Sequence, residues 1–259
     1  MMERALAGFL LAGAIAFVAR NVRALSTGGA VAALLVGTAA SIAGWTWAAV
    51  LIVFFVTSSA LSRFRHATRE ARIGRIVEKG NERDAVQVLA NGGVFAVAAL
   101  LAAATGESAW AAAALGGLAA ATADTWATEV GTVTGGLPRS VVTFKPLPAG
   151  TSGGVTVPGT LASIAGAAFI AGMSYFIGVG GASTGVFVGG ALGSLADSLI
   201  GATVQERRWC DGCSEATERR THYCGRVTRV VGGVPGARND FVNVVCTLVG
   251  AGVAAAIAR

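Results

Sequence analysis

Long, nearly uncharged apolar blocks recur along this chain, at residues 5–19, 28–44, 45–61, 93–105, 109–123, 155–177, 184–203 and 241–258. A helix on the surface of a soluble protein carries one apolar stripe of period 3.6, whereas these blocks are apolar throughout. Crossing a bilayer as a helix takes roughly 17–25 such residues, so each block is a candidate span. The reading is an all-α, polytopic membrane bundle of about 8 spans, forming one transmembrane domain over residues 1–259. Residues 28–61 also read as one long broken segment, and the short first block also fits a signal peptide, although Arg20 and Arg23 follow it. With 54% hydrophobic and 13% charged residues, composition excludes an ordinary soluble domain.

Lys and Arg resist translocation, so their placement orients such a chain. Of the 20 basic residues, 18 fall on one side of the span map. These are Arg20 and Arg23; Arg63, Arg65, Arg69, Arg72, Arg75, Lys79 and Arg83; Arg139 and Lys145; and seven arginines between Arg207 and Arg238. Only Arg4 and Arg259 lie opposite. A basic loop at 62–90 and a second loop at 205–240 are therefore expected at the cytoplasmic face of the plasma membrane, with both termini outside. Loop topology and anionic lipid head groups account for the net charge of +6. The basic loops lack interleaved aromatics, which argues against nucleic acid as a partner.

Internal similarity suggests repeated helical hairpins. Thr27-Gly28-Gly29, Asn91-Gly92-Gly93 and Ser152-Gly153-Gly154 each look like the start of a hairpin. The octapeptides at 37–44 and 159–166 differ at one position, a match that Gly/Ala-rich composition alone could also produce. Gly116-Gly117 precedes Ala123-Asp124-Thr125 by the same interval that separates Gly189-Gly190 from Ala196-Asp197-Ser198, so Asp124 and Asp197 are expected at equivalent depths.

Carboxylates inside apolar spans are costly and mark candidate sites. Asp124, Glu129 and Asp197 are the candidates, and neighbouring hydroxyls make them oxygen donors suited to Mg²⁺ and the phosphates it bridges. Interhelical hydrogen bonding is the plainer alternative. Asp240, at the mouth of the last span with Asn239 and Asn243, is a further Mg²⁺ candidate. The turn Gly150-Thr151-Ser152-Gly153-Gly154, just before a helix, could cradle an anion with its backbone N–H groups, with Lys145 nearby. Arg83 suits a phosphate clamp. Asp84, Gln87 and Asn91, on one side of the same helical segment, are further candidates for phosphate binding, although the segment also reads as a solvated amphipathic helix. Cys210 and Cys213, spaced C-x-x-C, precede His222 and Cys224, and the four could close a tetrahedral, structural Zn²⁺ site. A redox pair or an unliganded loop is the alternative.

At these motifs the chain resembles the transmembrane protein 19 and phytyl-phosphate kinase family, the domain of unknown function 92. The distinctive pieces are Asn81-Glu82-Arg83-Asp84 with Gln87 to Gly93, Ala123 to Gly131, Gly150 to Val155, Asp197 to Thr203, and Asn239-Asp240 with Asn243. The resemblance runs from about Arg63 to the C-terminus and takes in the cysteine cluster. It implies a role in isoprenoid lipid metabolism, since plant members are taken to phosphorylate phytyl monophosphate with a nucleoside triphosphate. The resulting expectation is an Mg-dependent kinase whose partners are a prenyl monophosphate, a nucleoside triphosphate and membrane lipids. Asp124, Glu129, Asp197 and Arg83 would then be its catalytic residues. A prenol kinase or nucleotidyltransferase, or a lipid transporter or flippase, is the alternative.

Overall fold

The computed structural model describes residues 2–64, 66–74, 76–78, 80, 82–134 and 136–259. Arg65, Arg75, Lys79 and Asn81, named above for their charge or motif, lie outside the described residues. The long helices are α1 (Met2–Asn21), α2 (Thr27–Ala43), α3 (Trp45–Arg63), α5 (Ala85–Thr105), α6 (Ser108–Val133), α7 (Val157–Ile177), α8 (Ser183–Thr203) and α9 (Asn239–Ile257). A short α4 (His66–Ile73) follows α3. By length and hydropathy α1, α3, α5, α7, α8 with its preceding turn, and α9 can each cross a membrane. Outside that set fall α2, at 17 residues, and α6, which carries Asp124 and Glu129.

Several expected boundaries shift, for local reasons. The block at 28–61 is two helices joined at Gly44, not one broken segment. Helix α5 starts at Ala85, eight residues before the apolar block, because Asp84 and Gln87 form a reciprocal capping box. Asn91-Gly92-Gly93 therefore lies within α5 and opens no hairpin, which corrects that part of the repeat. The octapeptides differ in position too. The one at 37–44 ends α2, with Gly44 as its C-cap, while the one at 159–166 begins near the N-terminus of α7. They match in composition and not in structural register. Helix α6 runs ten residues past the predicted end of its block, keeping Asp124 and Glu129 helical.

Helix α6 is the axis of the bundle. Every residue from Ala111 to Ala123 is buried, and α5, α7, α8 and α9 all pack against it. Small side chains permit this, since in lipid the gain comes from close van der Waals approach. A Cβ on Gly116 or on Gly189 would overlap the Gly250 carbonyl oxygen, so the two glycines of the repeated Gly-Gly pairs press on the same residue of α9. Gly250→Val is expected to wedge α9 away and destabilise the fold by roughly 3 kcal/mol, read as a lower unfolding midpoint in detergent. An unchanged midpoint would show that the contact is not under constraint.

Two small sheets depart from a purely helical chain. Strands β1 (Arg139–Ser140) and β2 (Gly154–Val155) pair antiparallel and close the loop before α7. The segment expected as a loop at 205–240 contains β3 (Arg207–Cys210), β4 (Glu215–Thr217) and β5 (Arg229–Gly232), an antiparallel sheet in the order β4-β3-β5. It docks beside α4: Glu218 N–H donates to the Ile76 carbonyl at 2.9 Å, and Arg219 Nη2 to the Gly74 carbonyl at 2.7 Å. Arg238, at the start of α9, pairs with Glu78.

Candidate functional site

The basic loops and the polar ends of α5 to α9 enclose a cavity of about 510 Å³. Asp124, Thr125, Thr128 and Glu129 enter from α6, Ser194, Asp197 and Ser198 from α8, and Gln87 and Asn91 from α5. Arg83, the Gly150 to Gly154 turn, and Asn239, Asp240 and Asn243 complete the wall. Residues spread over more than 150 positions of sequence thus meet in one place.

Asp124 and Asp197 are its centre. Their carboxyls come within hydrogen-bonding reach of each other, where equal spacing from the glycine pairs predicts a common depth and no more. Asp197 Oδ2 is buried and has no hydrogen-bond partner among the described residues. Two like charges in contact, one with an orphaned oxygen, are unfavourable unless they share a proton or a cation. A hard divalent cation such as Mg²⁺ fits the donors that line the cavity around the pair among the described residues, which are carboxylates and hydroxyls. Glu129 is engaged differently. Its Oε2 lies 3.0 Å from Arg69 Nε, and Ser62 Oγ donates to its Oε1 at 2.8 Å, tying α6 to α4 and α3. It lines the cavity as an ion-paired wall residue.

The Gly-rich turn is fixed by close approach. Gly153 has φ +75°, and a Cβ there would overlap Ala202, so the turn rests on the end of α8 one helical turn from Asp197. Arg83 is set by the other half of the chain. Its backbone N–H donates to Ala24 O at 3.1 Å, its carbonyl accepts from Ser26 N at 3.0 Å, and Gly29 leaves room for that carbonyl. Burial lowers the Arg83 pKa, and the Glu129 charge opposes this. Two predicted phosphate-site residues stand apart from the cavity wall. Lys145 is exposed, and Asp84 is the N-cap of α5, accepting from Gln87 N at 2.9 Å.

Glu218 was not found by sequence reasoning. It sits in a charged run after β4 and looks like a surface residue, yet it reaches the cavity wall beside Ser152 and Gln205. Ser152 Oγ donates to its Oε1, as does Gln205 Nε2 at 3.1 Å. Burial pushes its carboxyl up to about 7, helped by nearby Glu78 and opposed by the Ser152 hydrogen bond. With the folded value above the ordinary one, Glu218 favours the folded state fully below about pH 4.5, and that contribution is lost as pH rises through about 7. Glu218→Gln, which mimics the protonated form, should flatten the decline of the unfolding midpoint between pH 5 and 8. The difference is at most about 3 kcal/mol before solvent screening. An equal decline in both proteins would remove Glu218 as its source.

The four predicted zinc ligands converge in the small sheet. Donor atoms of Cys210, Cys213, His222 and Cys224 all lie within 4.8 Å of one another. Cys210 and Cys224 sulfurs are 3.7 Å apart, and His222 Nδ1 is 3.3 Å from Cys224 Sγ. The backbone N–H of Arg226, then His222, draw the Cys224 thiol down to about 6, while Cys224 pushes Cys213 up to about 11. Such a thiol cluster suits a soft tetrahedral ion. His222 Nε2 is buried and lies 3.6 Å from the Glu215 carboxylate, close for an ion pair but beyond hydrogen-bonding distance.

A mostly helical chain with several membrane-length helices and a polar cavity at one end of the bundle defines a polytopic integral membrane protein. Residues 10–251 match the family model described as integral membrane protein DUF92, and the chain belongs to that family. It is 32% identical to Protein PGR of Arabidopsis thaliana in an alignment 267 positions long, covering 92% of this chain and 91% of that protein. It is 30% identical to an uncharacterized membrane protein of Methanocaldococcus jannaschii, covering 79% of each. A Synechocystis uncharacterized membrane protein is 33% identical over 63% of this chain and 65% of its own length. No solved structure matches.

Proposed function

We propose that the protein is an isoprenoid-lipid kinase of the plasma membrane, transferring the γ-phosphoryl group of a nucleoside triphosphate to a prenyl monophosphate. The observation that carries this reading is the contact of Asp124 with Asp197 beneath a Gly-rich turn, with the half-buried Arg83 in the same cavity wall. In this reading all eight long helices cross the bilayer, and the basic loops and cavity face the cytoplasm, where a lipid phosphate and a soluble nucleotide can meet.

Phosphoryl transfer needs positioning and charge neutralisation more than covalent help. Mg²⁺ held by Asp124 and Asp197, with Asp240 at the rim, would supply that neutralisation when bound. The N–H groups of the Gly150 to Gly154 turn, with Thr151 and Ser152, would orient the nucleotide phosphates, and Arg83 would hold the acceptor phosphate. An oxygen of the lipid monophosphate attacks the γ-phosphorus while the bond to the β-phosphate oxygen breaks, giving the lipid diphosphate and a nucleoside diphosphate. That nucleophile needs no strong base, in keeping with the absence of a histidine among the cavity-lining residues described. The cysteine and histidine cluster would hold structural zinc, keeping Glu218 in the cavity wall.

Transport is the rival reading, and packing argues against it. On the N-terminal side of Asp124, every residue of α6 back to Ala111 is buried, and Gly116 meets Gly250 of α9, so close packing stands between the cavity and the far end of the bundle. Purified protein with labelled nucleotide, Mg²⁺ and geranylgeranyl monophosphate should yield the diphosphate. Absence of product with both ATP and CTP, together with nucleotide-independent lipid movement in proteoliposomes, would replace the kinase by a flippase.

A further inference from the structure

A second, apolar slot of about 90 Å³ lies among α1, α2, α3 and α5. Its walls are side chains such as Leu11, Ala33, Ala48 and Ile52; Arg83, Gln87 and Asn91 form a polar group at one end, and Ser41, the other polar lining residue, spends its hydroxyl on the Gly37 carbonyl of its own helix. Those same three residues line the large polar cavity, so the two spaces share a wall. The Arg83 guanidinium marks this junction, 5.9 Å from the ring centre of Phe55 and with Nη1 3.5 Å from Ser59 Oγ. From Phe55, α3 runs away from the junction to Ala48, seven residues or about 10 Å deeper.

We propose that this slot is the chain subsite of the lipid substrate, taking the first carbons of a single unbranched or prenyl chain while Arg83, Gln87 and Asn91 hold its phosphate. The proposal rests on the kinase reading only for the identity of the head group as a monophosphate. Charge complementarity selects the occupant. A half-buried cation at the mouth of an apolar slot matches an amphiphile with one anionic head. A volume of about 90 Å³, against about 510 Å³ for the polar cavity, suits a segment of one chain better than two chains side by side. This assigns α1 to α3 the task of recognising the chain, while α6 and α8 carry the phosphate chemistry.

The test measures binding and transfer separately, on the full chain in detergent. Wild-type protein should bind geranylgeranyl monophosphate well above methyl phosphate. Ala48→Phe, which fills the deep end, and Ala33→Phe, closer to Arg83, should each weaken geranylgeranyl monophosphate binding about tenfold. Methyl phosphate and nucleotide binding should stay within about twofold, which also reports that the variants are folded. A prenyl monophosphate bearing a diazirine on its chain should label peptides of α2 or α3 in wild-type protein, a readout that does not depend on any variant folding. Labelling of α7 or α8 alone, or unchanged chain dependence in both folded variants, overturns the slot. Chain binding in the slot without phosphoryl transfer from any nucleotide leaves the slot standing and sinks the kinase.

Discussion

Asp124→Asn is expected to lower phosphoryl transfer by about a thousandfold or more, and Asp197→Asn to do the same, because each removes half of the charge that would hold the metal in the cavity. The two carboxyls meet between α6 and α8, and Asp197 Oδ2 has no protein partner among the described residues. A like-charged pair held this way is a cost to the fold. Both variants should therefore unfold at or above the wild-type midpoint in metal-free buffer, so loss of activity with retained or raised stability separates a functional pair from a structural one. Mn²⁺ binding followed by electron paramagnetic resonance should fall in parallel. Full activity in either variant would sink the assignment, and lowered stability would favour an interhelical hydrogen bond as the role of the pair.

The second large effect is expected from the thiol cluster. Purified protein should carry about one zinc per chain, and stripping it with a chelator, or Cys210→Ser, should unfold the β4-β3-β5 sheet, because structural zinc sites supply about 10–16 kcal/mol of apparent binding free energy. The sheet is small, and its largest organising feature is the convergence of Cys210, Cys213, His222 and Cys224. Its loss would free Glu218 from Ser152 and Gln205 and remove one wall of the cavity. Protease cleavage within 205–238 should then appear while the helices stay protected. Metal-free protein that resists cleavage there would mean that the sheet stands on its backbone pairing alone.

Much of the candidate site was legible because charge in an apolar span is expensive and so stands out. Asp124, Glu129 and Asp197 were visible for that reason, and their spacing from Gly116-Gly117 and Gly189-Gly190 anticipated a shared depth. C-x-x-C followed by H-x-C was legible as a group that could converge, because this spacing is the one tetrahedral metal sites use, and the four side chains do meet. Glu218 was not, since nothing in a run of charges distinguishes the one that turns inward. Asp84 was misplaced for a related reason: a capping box satisfies backbone at a helix start, and in sequence it looks like any polar cluster. Glu129 was found as a cavity residue, but its ion pair with Arg69 came from α4, a helix hidden in a basic loop.

Linear sequence was enough to establish a helical membrane protein, to place its eight long apolar helices to within several residues at most ends, and to show that its polar segments collect beside the basic loops. Hydrophobicity and charge act residue by residue along the chain, and the bilayer reads them that way. Only the tertiary structure decided that Asp124 and Asp197 touch, that Glu129 is ion-paired, and that a slot between α1 and α3 opens beside Arg83. Those outcomes depend on which helix faces which, and among helices built from glycine and alanine that choice is made by close packing, which leaves almost no trace in linear sequence.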